Sequence, residues 1–243
     1  MIVKIELTSE KPLKLPKSYN HLLQAFFYNN MDPVLSKFLH DVGFVYGKRR
    51  FKLFTFSKVI GEILKRDAQK GFVLFEPSIK LYFASPLMDL VSSSVKTFLK
   101  RHNLLIGKNK LSLESIEVIQ PEVEGEITVK CLSPITVYRT PLEGEKRFIY
   151  LSPFEEEFYE LVRKNLMKKY VLVYGKDFRG EFGIEPVKID RRYRKKIVYK
   201  GTLIVAWEGY FKLKGSKDML RLALEAGLGA KNPQGFGMVE RVR

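Results

Sequence analysis

The feature that most constrains this chain is a repeated order of elements on either side of residues 120–125. In the first half, Ile2–Leu7 (IVKIEL) alternates apolar and polar residues as a half-buried strand does. Tyr19–Met31 then carries Leu22, Leu23, Phe26 and Phe27 on one helical stripe, with Ser18 as the expected cap. A second short helix is expected over Pro33–Val42, because Asp32 suits the N-cap, Pro33 the first helical position and Gly43 the residue past the end. Lys52–Ile60, Phe72–Glu76 and Ile79–Ala84 are aromatic and β-branched and read as strands. A helix at Pro86–Arg101 and a strand at Leu113–Ile119 close the half.

The second half repeats the order. Ile127–Tyr138 reads as a strand interrupted at Pro134, and Pro153–Met167 as a helix with acids in its first turn. Strands are expected at Ile184–Ile189 and Ile197–Leu213, a helix at Ser216–Glu225 and a final strand at Phe236–Val242. Strand, helix, strand, strand, helix, strand is the split βαβ unit, an antiparallel sheet with two helices on one face. The expected fold is therefore α+β: two tandem ferredoxin-like (βαββαβ) domains with antiparallel sheets, residues 1–122 and 123–243.

Charge narrows the partners. The chain carries a formal net charge of +16 over 243 residues, and residues 1–122 hold 19 Lys and Arg against 11 Asp and Glu. Each half is thus about equally basic, which points to a polyanion and foremost to nucleic acid. A single cysteine, Cys131, fits a reducing cytoplasm and a small core residue. No window approaches the ~18 apolar residues of a membrane span, so no membrane partner is expected.

Three histidines are present, His21, His40 and His102. His21, Gln24 and Tyr28 fall on one polar flank of the first helix, and His40 in the last turn of the second. A basic run, Lys48, Arg49 and Arg50, leads to Lys52. Tyr, His and Lys together can cut a phosphodiester without a metal: imidazole takes the ribose 2′-hydroxyl proton, ammonium stabilises charge on the phosphate, and phenol orients groups or protonates the leaving oxygen. The same residues also suit a surface histidine, a tyrosine at a core edge and lysines on a solvated face. No Cys pair, HExxH or GxxxxGK[ST] run is present, so no metal site and no cofactor are expected.

Near the end, Gly227, Gly229, Gly235 and Gly237 frame a loop that holds Lys231. Glycines there are expected to let backbone N–H groups approach phosphate closely. Arg191, Arg192, Arg194 and Lys195 belong to a run, residues 191–200, that interleaves bases with tyrosines and holds no acid. That suits unpaired nucleotides, and equally a solvated hairpin tip.

With these motifs in hand, the chain resembles the CRISPR-associated repeat-processing endoribonucleases of the RAMP superfamily. The resemblance spans nearly the whole length. It rests on the terminal GLG-AKNPQ-GFG loop, YNHLLQAFFYN, FLHDVG, KLFTFS, LSPITVY and EEEFYELV. It implies paired ferredoxin-like domains and metal-independent cutting within CRISPR repeats, leaving a 2′,3′-cyclic phosphate and a 5′-hydroxyl. By local match it places a catalytic Tyr, His and Lys on Tyr28, His40 and Lys52, and makes Gly227–Gly237 part of the RNA-binding surface. The implied partner is repeat RNA in a precursor transcript; effector-complex proteins and a second copy of the chain are further candidates. The rival reading is a RAMP-type subunit that binds guide RNA without cutting.

Overall fold

The computed structural model describes residues 1–140 and 148–242. The first sheet centres on β1 (Ile2–Thr8), whose inward residues Val3, Ile5 and Leu7 are buried. After it come α1 (Asn20–Asn29), α2 (Pro33–Asp41), β2 (Thr55–Phe56), β3 (Ile79–Ala84), α3 (Met88–Lys100) and β4 (Asn109–Ile119). β1 pairs antiparallel with β3 (Ile5 opposite Leu81) and with β4 (Ile5 opposite Ile116). The spatial order is β2-β3-β1-β4, with Leu104–Ile106 added at the far edge.

The second sheet is built from β5 (Glu126–Cys131), β6 (Phe182–Lys188), β7 (Tyr210–Gly215) and β8 (Val239–Arg241), with α4 (Glu156–Tyr174) and α5 (Lys217–Ala226). Its order, β6-β7-β5-β8, is the first sheet's order again. The first and third strands of each unit hold the two central positions in both cases, as the split βαβ topology requires.

Each unit has its own core. In the first, Phe27 of α1 meets Phe56 of β2 at 4.9 Å and Phe83 of β3 at 5.2 Å between ring centroids. Burying such a side chain is worth about 1.5–3 kcal/mol, so α1 is pinned to the sheet and the next residue, Tyr28, is held half-buried at the edge of the core. The second core gathers Val129, Phe158, Val162, Phe211 and Leu220.

Several expectations need correction. Ser18 does not cap α1; Tyr19 is the N-cap residue, and the Ser18 hydroxyl accepts from the Val198 N–H. Lys52–Ile60 forms a strand only at Thr55–Phe56, because Leu53 has φ +53° and turns the chain there. Ile197–Leu213 is three strands' worth of chain. Residues 194–199 and 202–207 form a hairpin around Lys200-Gly201, both at positive φ as a type I′ turn demands. Gly209 then separates that hairpin from β7. An unforeseen hairpin, Phe44–Tyr46 with Arg49–Phe51, turns at Gly47 (φ +56°).

Candidate active site and nucleic-acid interface

α2 begins as its sequence suggests, with the Asp32 carboxylate accepting from the Val34 and Leu35 N–H groups at 2.9 and 3.1 Å. It ends at Asp41, with Val42 as the C-cap and Gly43 just beyond at φ +67°. His40 therefore sits in the last turn, its side chain 75% exposed. Its Nδ1 lies 2.8 Å from Asp41 Oδ1, and Lys37 Nζ is 3.2 Å from the other oxygen of that carboxylate. Hydrogen bonds to His40 and Lys37 hold the Asp41 carboxyl below its usual pKa. An ionised Asp41 can only accept, so Nδ1 carries the proton and Nε2 is the nitrogen left for chemistry.

The hairpin at 44–51 folds back along α2 and delivers Lys52, whose Nζ donates to the His40 carbonyl at 3.0 Å. That carbonyl belongs to the open end of a helix, where a cation is favoured. Burial and the nearby Arg50 lower the Lys52 pKa. Tyr28 packs edge-on to His40 at 6.1 Å between centroids and to Phe54 at 5.5 Å. Burial raises its phenol well above the ordinary tyrosine range, so it stays protonated and acts as a donor, not a base. Tyr28, His40 and Lys52 are thus brought together from three segments. His21 is not drawn in: among the described residues no hydrogen bond or ring contact joins it to them. The third member of that flank, Gln24, is spent elsewhere, donating to the Pro233 carbonyl at 2.6 Å.

Beside Lys52 opens a cleft of about 560 Å³ between the two units. Arg49, Arg50 and Lys52 line it from one unit and Arg139, Lys164, Lys168 and Lys231 from the other, with the buried Lys169 behind them, and no described acid lines it. Such a groove concentrates a polyanion next to the three catalytic candidates. Lys48 sits outside it, exposed at the hairpin turn. Lys231 Nζ lies 5.1 Å from the Tyr138 ring centroid and 5.9 Å from that of Phe148, adding aromatic faces to the cleft. Sequence reasoning missed Arg139, Lys164, Lys168 and Lys169. The i, i+4 spacing of Lys164 and Lys168 was the one available signal for a basic helical face.

The glycine-rich loop is corrected in its chemistry. The N–H groups of Leu228, Ala230, Gly235 and Gly237 donate to the carbonyls of Gly237, Thr136, Asn232 and Pro134, so they are not available to phosphate. Gly227, Gly229, Gly235 and Gly237 are buried. A Cβ on Gly237 would stand 1.9 Å from the Leu228 carbonyl oxygen, and one on Gly229 2.6 Å from that of Thr136. Close approach of chain to chain is what demands glycine here. The loop also braces the other unit: Asn20 Nδ2 donates to the carbonyls of Gln234 and Gly235 at 3.0 and 3.2 Å.

Arg191, Arg192, Arg194 and Lys195 line a second basic groove of about 850 Å³ with Lys58, Arg66 and Lys196. Three of these cations are already paired: Arg192 grips Asp190 through two bonds of 2.9 Å, and Lys58 and Lys195 lie 2.5 and 3.3 Å from the two oxygens of Glu208. Among the described residues no three His, Cys, Asp or Glu side chains converge as a metal centre would need. Burial pushes the Cys131 thiol up to about 12. No described helix is long and apolar enough to cross a membrane.

Residues 14–117 match the family model described as CRISPR-associated protein Cas6, N-terminal, and residues 117–241 that of CRISPR associated protein Cas6, C-terminal. The CRISPR-associated endoribonuclease Cas6 of Pyrococcus furiosus is 31% identical over 238 residues, spanning 95% of this chain and 85% of the relative. The endoribonuclease Cas6 1 of Methanocaldococcus jannaschii is 28% identical, spanning 100% of this chain and 93% of the relative. A solved CRISPR associated protein Cas6 superposes with a TM-score of 0.81 at 27% identity, covering 100% of this chain and 99% of the other. A structure described as a RAMP protein binding different RNA substrates gives a TM-score of 0.83 at 25% identity, covering both chains completely. This chain belongs to the Cas6 family of CRISPR-associated proteins.

Proposed function

We propose that this chain is a cytoplasmic endoribonuclease that cuts CRISPR precursor RNA within its repeats, without a metal, by attack of a ribose 2′-hydroxyl. Residues 1–122 form the catalytic unit, and residues 123–243 carry the glycine-rich loop and most of the cleft's cations. The observation that carries the reading is the Lys52 ammonium bonded at 3.0 Å to the backbone of His40, at the mouth of a cleft lined by cations. His40 Nε2 takes the 2′-hydroxyl proton as the 2′ oxygen attacks phosphorus. Lys52 stabilises the charge gathering on the phosphate, as a preorganised donor does best in a partly desolvated site. Tyr28, kept protonated by burial, supplies a proton to the departing 5′ oxygen. The bond formed is 2′-O–P, the bond broken P–O5′, and the products are a 2′,3′-cyclic phosphate and a 5′-hydroxyl.

The test is single-turnover cleavage of repeat RNA in excess EDTA, beside a substrate with deoxyribose 5′ of the cut. Cleavage in chelator and none of the deoxy substrate is expected. Cutting of the deoxy substrate overturns the chemistry, loss in EDTA overturns metal independence, and tight binding without cleavage returns the chain to the class of non-cutting RNA-binding subunits.

A further inference from the structure

Lys169 lies in the second half of α4 and is 2% exposed. A lysine taken out of water this fully needs partners for its ammonium or must give up its charge. Its Nζ reaches four oxygens: Gly227 O and Asn232 Oδ1 at 2.7 Å, Ala226 O at 3.2 Å and Gly229 O at 3.4 Å. All four lie on residues 226–232, the end of α5 and the first half of the glycine-rich loop. An ammonium has three protons for them; a neutral amine has two. Asn232 completes the knot, its Nδ2 donating to the Leu228 and Phe236 carbonyls at 3.0 Å each. Both ends of the loop are therefore tied, directly or through Asn232, to one buried amino group.

What the loop holds gives this cage its consequence. It keeps Lys231 in a left-handed conformation, φ +59°, with its side chain in the cleft. Its Pro233, Gln234 and Gly235 carbonyls receive bonds from Gln24 and Asn20 of α1. Gln24 is one helical turn before Tyr28, so the loop sets the seating of the helix that carries the phenol. We infer that Lys169 is a positioning residue for RNA cleavage: through the loop it fixes both Lys231 in the cleft and, by way of α1, Tyr28. This rests on the assignment of Tyr28 and the cleft made above. A lysine that merely filled space would affect unfolding and nothing in the folded enzyme.

The experiment uses the full chain with Lys169→Met, and Asn232→Ala as a second variant that leaves the lysine in place. Hydrogen exchange of residues 227–237 is followed in the free protein. Affinity for repeat RNA and the cleavage rate at saturating RNA are measured separately, well below the unfolding midpoint. The amides of Leu228, Ala230 and Gly237 are expected to exchange faster in both variants. Affinity should fall, and the rate at saturation should fall about tenfold, as small misplacements of catalytic groups cost. Wild-type loop exchange in both variants overturns the inference, and so does a loosened loop with an undiminished saturating rate. Should Lys169→Met fail to fold, Asn232→Ala alone decides. A wild-type chain that cuts no repeat RNA sinks the functional reading instead; loop exchange then decides whether the cage holds the loop.

Discussion

Gly43→Ala tests whether the path of Lys52, and not its charge alone, supports cleavage. Gly43 lies just beyond α2 at φ +67°, and an added Cβ would lie 2.6 Å from the Phe51 carbonyl oxygen, 2.9 Å from Lys52 Cδ and 3.1 Å from Lys52 Nζ. Holding alanine in the left-handed region costs about 1–2 kcal/mol. The clash adds displacement: reaching an ordinary contact of 3.4 Å moves the Phe51 backbone by about 0.8 Å. Lys52 follows it and leaves the His40 carbonyl. A shift near 1 Å in a catalytic group can cost roughly 10²-fold in rate, so a loss of about that size is expected. RNA affinity should stay within about threefold, since no charge is removed. Gly47→Ala is the control. Gly47 has φ +56° but nothing within 4 Å of its added Cβ, so it carries the same backbone strain without the clash. Single-turnover cleavage with excess enzyme, filter binding and thermal unfolding are measured for both. If Gly43→Ala cuts within about threefold of wild type while folded, the Lys52–His40 contact does not matter to cleavage. If Gly47→Ala is equally impaired, strain in the hairpin explains both.

His40→Ala should lower the single-turnover rate by roughly 10²–10⁴, the worth of a general acid–base group, with little change in affinity; wild-type cutting by His40→Ala beside a dead His21→Ala would put the site on the wrong histidine. Neutralising Arg192, Arg194 and Lys195 should flatten the salt dependence of RNA binding by less than the ~0.7 per charge of three free contacts on a single strand, because Asp190 and Glu208 already engage two of them; a loss of the full three contacts would mean RNA displaces those carboxylates. Glu6 accepts from the Ser115 hydroxyl and pairs with Lys4 and Lys80, which brings its pKa down to about 2. A depressed carboxylate stabilises the fold above its unfolded value near 4.5 and loses that contribution as pH falls toward 2. The stability gap between wild type and Glu6→Gln should therefore close over that window in acid unfolding, and a gap constant across it would count against the pairing.

The repeated element order was legible because antiparallel strands with one buried face leave a period of two in the sequence, as β1 does over seven residues. The inserted hairpin at 44–51 was not, for the same reason: Phe44–Tyr46 and Arg49–Phe51 are three residues each, too short for alternation to register. That gap matters most at the site. His40 could be placed from Asp32, Pro33 and Gly43, all local signals of one helix. Lys52 could be named but not aimed, because its reach depends on an eleven-residue excursion folding back and on Leu53 turning at positive φ.

The glycine-rich loop and α4 fail in opposite ways. At Gly229 and Gly237 the residue type was rightly singled out, but glycine is needed equally where chain meets phosphate and where chain meets chain. Only the carbonyls at 2.6 and 1.9 Å from the absent Cβ atoms decide for the second. In RKNLMKKY the three lysines look alike. Lys164 and Lys168 share a face four residues apart, while Lys169 is rotated a further ~100° about the helix axis, far enough to pass from the cleft wall into the interior. The oxygens that receive it lie 57 to 63 residues away in sequence. A buried charge of this kind becomes visible only when both the helix phase and its distant acceptors are known. The glycines and Lys169 thus meet on one segment: the chain packs against itself too closely for a Cβ, and the Ala226, Gly227 and Gly229 carbonyls beside those glycines accept from the Lys169 Nζ.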